Sequence, residues 1–186
     1  MEFISAEIAG VSLIKPDIFR DQRGFFMETF HRGKYADAGI GYDFVQDNMS
    51  RSARGTVRGL HYQLQQPQGK LVFVLQGEIF DVAVDIRRGS PSFGRWLGFH
   101  LSADNRQQLF LPPGLAHGFM VLSESAEVYY KCTDLYLPGD EYGLLWNDPE
   151  IGIEWPRHDG VILSEKDLSL PAMAAVKPEN LPPWLG

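Results

Sequence analysis

The chain contains a single cysteine in 186 residues, which excludes an internal disulfide. That residue, Cys132, lies in the run Tyr129-Tyr-Lys-Cys-Thr-Asp134 and reads as a buried strand position more than a reactive thiol, which fits a reducing compartment. Long hydrophobic runs are also missing. No segment approaches the roughly 18–20 apolar residues a membrane helix needs, and Met1-Glu-Phe-Ile-Ser-Ala-Glu7 has neither the basic patch nor the apolar stretch of a targeting signal. The expectation is a cytoplasmic protein with no membrane partner. Positive charge is scarce: 17 Lys and Arg stand against 24 Asp and Glu, a net charge of −7. That balance disfavours nucleic acid as a partner, and any anionic ligand must be met by a local basic cluster.

What is present is enough apolar material for a full core, 44% hydrophobic and 12% aromatic, without internal repeats, low-complexity runs or linkers. Residues 1–186 are therefore read as one domain, with its core over about 3–170 and an irregular tail from Pro178 to Gly186. The 19 Gly and 12 Pro punctuate short runs in which apolar and polar side chains alternate, the pattern of strands and turns. Lys70 to Gln76 predicts a strand, Gly77-Glu78 a tight turn, and Ile79 to Ile86 a returning strand with Asp81 and Asp85 on one face, together a hairpin. Further strands are predicted at Trp96–Leu101, Gln107–Leu111, Gly118–Leu122 and Glu127–Asp134. Helix signals are short: Lys34–Ala38, ending at Gly39, and Ser164–Leu168, opened by Ser164 as N-cap. The fold class is mainly β, a closed barrel or jelly roll with a few short helices.

Two motifs carry chemistry: Gly55-Thr-Val-Arg-Gly-Leu-His61-Tyr-Gln63 and Leu111-Pro-Pro-Gly-Leu-Ala-His117-Gly-Phe119. Small cupin-type barrels often hold a metal on a His-x-His pair, a nearby Glu and a later His, because several imidazole or carboxylate ligands must converge. Here Gln63 replaces the second His, and Leu64 to Gly69 contains no carboxylate. A resident metal is not expected. What remains is His61 with Lys70 nine residues on, a general base beside a cation able to stabilise an oxyanion, as proton abstraction next to a carbonyl requires. Taken alone, such a pair is better explained by a satisfied interior histidine and a solvated strand end.

Eight segments in order change that balance: Phe19-Arg-Asp-Gln-Arg-Gly-Phe25, Gln46-Asp-Asn48, Arg58-Gly-Leu-His-Tyr-Gln63, Phe80 to Pro91, Pro113 to Phe119, Tyr130-Lys-Cys-Thr-Asp134, Trp146-Asn-Asp-Pro149 and Leu163-Ser-Glu-Lys-Asp167. Over almost the whole chain they resemble the dTDP-4-dehydrorhamnose 3,5-epimerases. The resemblance implies a cupin-like jelly roll, a dTDP-4-keto-6-deoxysugar substrate, no cofactor and a homodimer in which the Phe25–Phe30 strand, carrying Glu28, enters the neighbouring pocket. It implies His61 as base, Lys70 at the enolate oxygen, Tyr130 as acid on the opposite face and Asp167 as the partner of His61. By the same resemblance Arg23 and Arg58 meet the diphosphate, while Glu28, Gln46 and Asn48 contact the base and phosphate region. Phe19 and Tyr136 form aromatic walls, and His117, Glu141 and Lys166 fall on further ligand positions. Asp85 reads as a support for the histidine or as a structural carboxylate. Alternatives at this stage are an epimerase acting at C3 or C5 only, a non-catalytic sugar-binding cupin, and a metal-dependent cupin oxygenase, against which the missing ligands count.

Overall fold

The computed structural model describes residues 1–157 and 159–186. In chain order its elements are β1 (Glu2–Ser5), β2 (Ser12–Lys15), β3 (Ile18–Asp21), β4 (Gly24–Met27), α1 (Arg32–Asp37), β5 (Gln46–Ala53), β6 (Val57–Gln63), β7 (Lys70–Gln76), β8 (Glu78–Asp85), β9 (Trp96–Ser102), β10 (Gln108–Leu111), β11 (Leu115–Val121), β12 (Ser125–Cys132), β13 (Glu141–Gly143) and α2 (Glu165–Leu168). A six-stranded sheet runs β1-β2-β10-β7-β12-β5, a five-stranded sheet runs β13-β6-β11-β8-β9, and β3 and β4 form a separate ribbon. This is the mainly β, cupin-like jelly roll expected from the sequence.

Period two decides what lies between the sheets. Val72 and Val74 of β7, Val128 of β12 and Leu109 and Leu111 of β10 meet Ala83 of β8, Leu101 of β9 and Phe119 of β11 in one core. The opposite faces are covered too. Phe80, Val82 and Val84 pack outward against Leu144, Trp146, Ile153 and Trp155 of the C-terminal third. Leu71 and Phe110 pack outward against Tyr35 of α1 and Ile40. A strand buried on both faces loses its polar alternation, which is why β7 and β8 read as near-continuous apolar runs.

The hairpin expected about Gly77-Glu78 does not form. β7 pairs with β10 and β12, whereas β8 pairs with β9 and β11 in the other sheet. Gly77, at φ +79°, turns the chain from one sheet to the other, and a Cβ there would lie 2.1 Å from the Ser125 carbonyl oxygen. Two apolar runs joined by a glycine look alike in sequence whether they pair with each other or with distant partners. The strand predicted to start at Gly118 begins earlier, at Leu115, and that extension brings His117 into the sheet. The edge strand expected over Phe25–Phe30 ends at Met27, so Glu28 follows it and bonds Lys34 Nζ at 2.8 Å. The tail expected to be irregular opens with a 3-10 turn over Pro178–Asn180 and is anchored: Leu181 is buried, Arg88 bridges to Pro183, and the Arg87 guanidinium stacks 4.3 Å over the Trp184 ring. Among the described residues no helix is long and apolar enough to cross a membrane.

Candidate active site

The inward positions of several strands change from apolar to polar at one end of the barrel. Lys70 opens β7, Glu141 opens β13, and His61 and Tyr130 stand near the ends of β6 and β12, so antiparallel pairing brings all four to the same rim. With Gln46, Asn48, Gln63, Gln68, Leu115 and Tyr136 they line a cavity of about 260 Å³.

His61 Nε2 lies 2.6 Å from Asp167 Oδ1, and His61 Nδ1 lies 3.7 Å from Glu141 Oε1. Ser164 caps α2 by accepting from the Asp167 backbone N–H at 3.1 Å, which fixes the carboxylate's place. Burial pushes the Asp167 carboxyl up, but the His61 hydrogen bond and charge, with Ser164 Oγ and the Gly59 N–H, bring it below the usual Asp value. A carboxylate at a helix start is commonly only a dipole partner; here it reaches 106 residues back to an imidazole.

Lys70 and Tyr130 face this pair. Among the described residues neither side chain has a hydrogen-bond or ion-pair partner; each ends in the cavity. Burial depresses the Lys70 ammonium, against the opposing pull of Cys132, Glu141 and Asp81. Burial also raises the Tyr130 phenol, an effect that Arg58 partly offsets. A tyrosine hydroxyl that opens into a cavity with no protein partner is placed to meet a ligand.

The surrounding amides are committed to the protein. Gln46 Oε1 accepts from the Tyr136 backbone N–H at 2.8 Å, Gln46 Nε2 donates to Asn48 Oδ1 at 3.0 Å, and Asn48 Nδ2 reaches Cys132 Sγ at 3.5 Å. Gln63, at the position where a metal-binding relative has a second histidine, clamps two loops instead. Its Nε2 donates to the Gln66 and Leu135 carbonyls, and its Oε1 accepts from the Leu137 N–H. Asp140 binds the backbone N–H groups of Leu64, Gln65 and Gln66, tying the same two loops together.

His117 is buried opposite His61 in register, with Nε2 3.0 Å from both oxygens of Asp81. The pairing with Asp81 was not read from the sequence, although an Asp inside an apolar strand is the signal for it, since a buried carboxylate needs a partner. Asp85, the other carboxylate on that face, binds Arg87, Ser90 and Ser92 and, among the described residues, no histidine, so it is structural. Arg58 is held through Nε to Ser52 Oγ at 3.0 Å. The Tyr136 hydroxyl donates to Glu141 Oε2 at 3.0 Å, and Lys166 ion-pairs with the same oxygen. Phe19 and Arg23 lie outside this cavity on the β3–β4 ribbon, where Phe19, Phe25 and Phe26 are exposed and Arg23 pairs with Asp21.

The family model described as dTDP-4-dehydrorhamnose 3,5-epimerase matches residues 5–175. A dTDP-4-dehydrorhamnose 3,5-epimerase of Pseudomonas aeruginosa is 56% identical over 161 residues, covering 86% of this chain and 89% of that protein. One from Neisseria gonorrhoeae is 55% identical over 169 residues, 91% of this chain, and the chain spans 52% of that relative's length. Among solved structures, a dTDP-6-deoxy-D-glucose-3,5-epimerase from Legionella pneumophila, in complex with dTDP-4-keto-L-rhamnose, superposes with a TM-score of 0.97 at 49% identity, covering 100% of this chain and 99% of that one.

Proposed function

The chain belongs to the dTDP-4-dehydrorhamnose 3,5-epimerase family, and from that premise we propose that this isomerase inverts C3 and C5 of dTDP-4-dehydro-6-deoxy-D-glucose, giving dTDP-4-dehydro-L-rhamnose for dTDP-L-rhamnose synthesis. The observation that carries this reading is the set of three unlike proton and charge carriers around one cavity: His61 on a carboxylate, and Lys70 and Tyr130 with no protein partner.

The hydrogens at C3 and C5 both lie next to the C4 ketone. His61 removes one of them, and the electron pair moves onto the C4 oxygen, where the Lys70 ammonium stabilises the enolate. Tyr130 returns a proton to the opposite face, which inverts the centre. Asp167 holds His61 in one tautomer and favours the imidazolium formed during turnover. This proton exchange calls for no cofactor.

Arg58 takes the diphosphate, since a guanidinium fork matches phosphate oxygens. Tyr136 is the wall for the thymine, Gln46 and Asn48 hold that wall in place, and His117 supports the sugar. The exposed β3–β4 ribbon offers Phe19 and Arg23, with Glu28 just beyond it, to the pocket of a second subunit in a homodimer, which would also cover its three exposed phenylalanines. The protein acts in the cytoplasm.

The test is a coupled assay: the purified protein, the 4-keto-6-deoxyglucose nucleotide and an NADPH-dependent reductase specific for the L-rhamno product. NADPH consumption that requires this protein is expected; none at any enzyme concentration contradicts the reading.

A further inference from the structure

We propose that Glu141 is the proton outlet of His61, a positioning residue that acts through the base and lets one histidine serve two inversions in a single binding event. This rests on the epimerase reading above. Glu141 lines the catalytic cavity on one side and, on the other, a second cleft of about 380 Å³ formed with Tyr62, Tyr142, Lys177 and Asn180. When substrate fills the first space, the second still brings water to the carboxylate.

The orientation of the group fits that task. His61 Nε2 is committed to Asp167, so Nδ1 is the ring nitrogen left for the reaction, and Glu141 Oε1 lies 3.7 Å from it. Oε2 is occupied by the Tyr136 hydroxyl and the Lys166 ammonium, which holds the carboxylate with its other oxygen turned to the base. A small ring rotation closes the remaining distance. Burial raises the Glu141 carboxyl, but Lys166, His61 and Tyr136 together bring it below the usual Glu value, so it passes a proton on without keeping it.

Each inversion breaks one C–H bond, leaves its electron pair in the enolate and puts the proton on Nδ1. The Tyr130 O–H then supplies a proton to the opposite face as the ketone re-forms. The enzyme is left with an imidazolium and a phenolate. A second inversion on the bound sugar requires His61 to lose its proton and Tyr130 to regain one. Glu141 Oε1 takes the proton from Nδ1 and releases it to water in the second cleft, while Tyr130 regains one from solvent at the mouth of the first cavity, so one proton enters and one leaves per inversion.

The experiment is the ratio of singly to doubly inverted sugar released in early turnover, resolved by NMR for wild type, Glu141→Gln and Glu141→Asp, with and without added formate as an external proton carrier. Glu141→Gln is expected to raise the ratio roughly tenfold or more, with Glu141→Asp intermediate and formate lowering the ratio for the Gln variant. An unchanged ratio in Glu141→Gln overturns the proposal, as does a raised ratio that neither Asp nor formate reduces. Loss of both inversions together in a variant that still binds dTDP also overturns it, by placing Glu141 in the first proton step. Absence of any inverted product from wild type would instead mark failure of the epimerase reading.

Discussion

At the scale of single residues, the site is built from groups left incomplete by their own chain. Lys70 and Tyr130 are partly buried and open to the cavity, and burial disfavours the charged form of each. Such costs persist where a ligand completes the set, which separates Lys70 and Tyr130 from Asp85, whose oxygens are all engaged. Tyr130→Phe is expected to reduce inversion by about 100-fold or more while His61 still exchanges ring hydrogens with solvent on one face. Measured by deuterium uptake against product formation, unimpaired epimerisation by this variant removes Tyr130 from the acid role. Arg58→Ala is expected to raise KM at least about tenfold, the loss of one charge-assisted contact to phosphate; an unchanged KM assigns it to the fold. His61 and Lys70 were singled out in the sequence by the eight ordered segments that resemble the epimerases, since the pair alone reads equally as structure. The Asp81–His117 pair was not, since 36 residues and a change of strand separate its members.

At the scale of elements, apolar runs and alternation located β7 to β12 and the Ser164 cap located α2, but β1, β2, β3, β5, β6 and β13 were not placed and strand pairing was not readable. Gly77 shows why: pairing is set by which distant strands the sheet supplies, and both partners of β7 lie beyond β8 in sequence. Gly77→Ala is expected to destabilise by more than the 1–2 kcal/mol that a left-handed backbone alone costs an alanine, because its Cβ meets the Ser125 carbonyl as well. A denaturant midpoint equal to wild type contradicts the sheet-crossing role.

The turn after β8 makes a second prediction. Burial would raise the Asp85 carboxyl, but bonds from Arg87, Ser90 and Ser92 bring it to about 2. An unfolded Asp titrates near pH 4, so the native state gains about 2 kcal/mol that is fully present above that pH and is lost as pH falls toward 2. Melting temperatures measured across this window should fall more steeply for wild type than for Asp85→Asn; parallel curves contradict the account of this corner.

At the scale of the whole molecule, an acidic protein that takes a nucleotide diphosphate must separate its local field from its net charge of −7. Lys70 is the cation that lines the cavity, Lys166 stands beside it on Glu141, and Arg23 lies apart on the β3–β4 ribbon, paired with Asp21. Composition foretold the class and the need for a basic cluster; it was silent on which strand ends would meet, because that depends on the crossing of sheets. The central claim is that one pocket inverts two carbons. It is tested most directly by proton NMR in deuterated water with dTDP-4-keto-6-deoxyglucose, following the C3 and C5 signals separately. Loss of signal at both positions with formation of the L-rhamno product is expected; loss at only one would make this a single-centre epimerase, and loss at neither would contradict catalysis by this site.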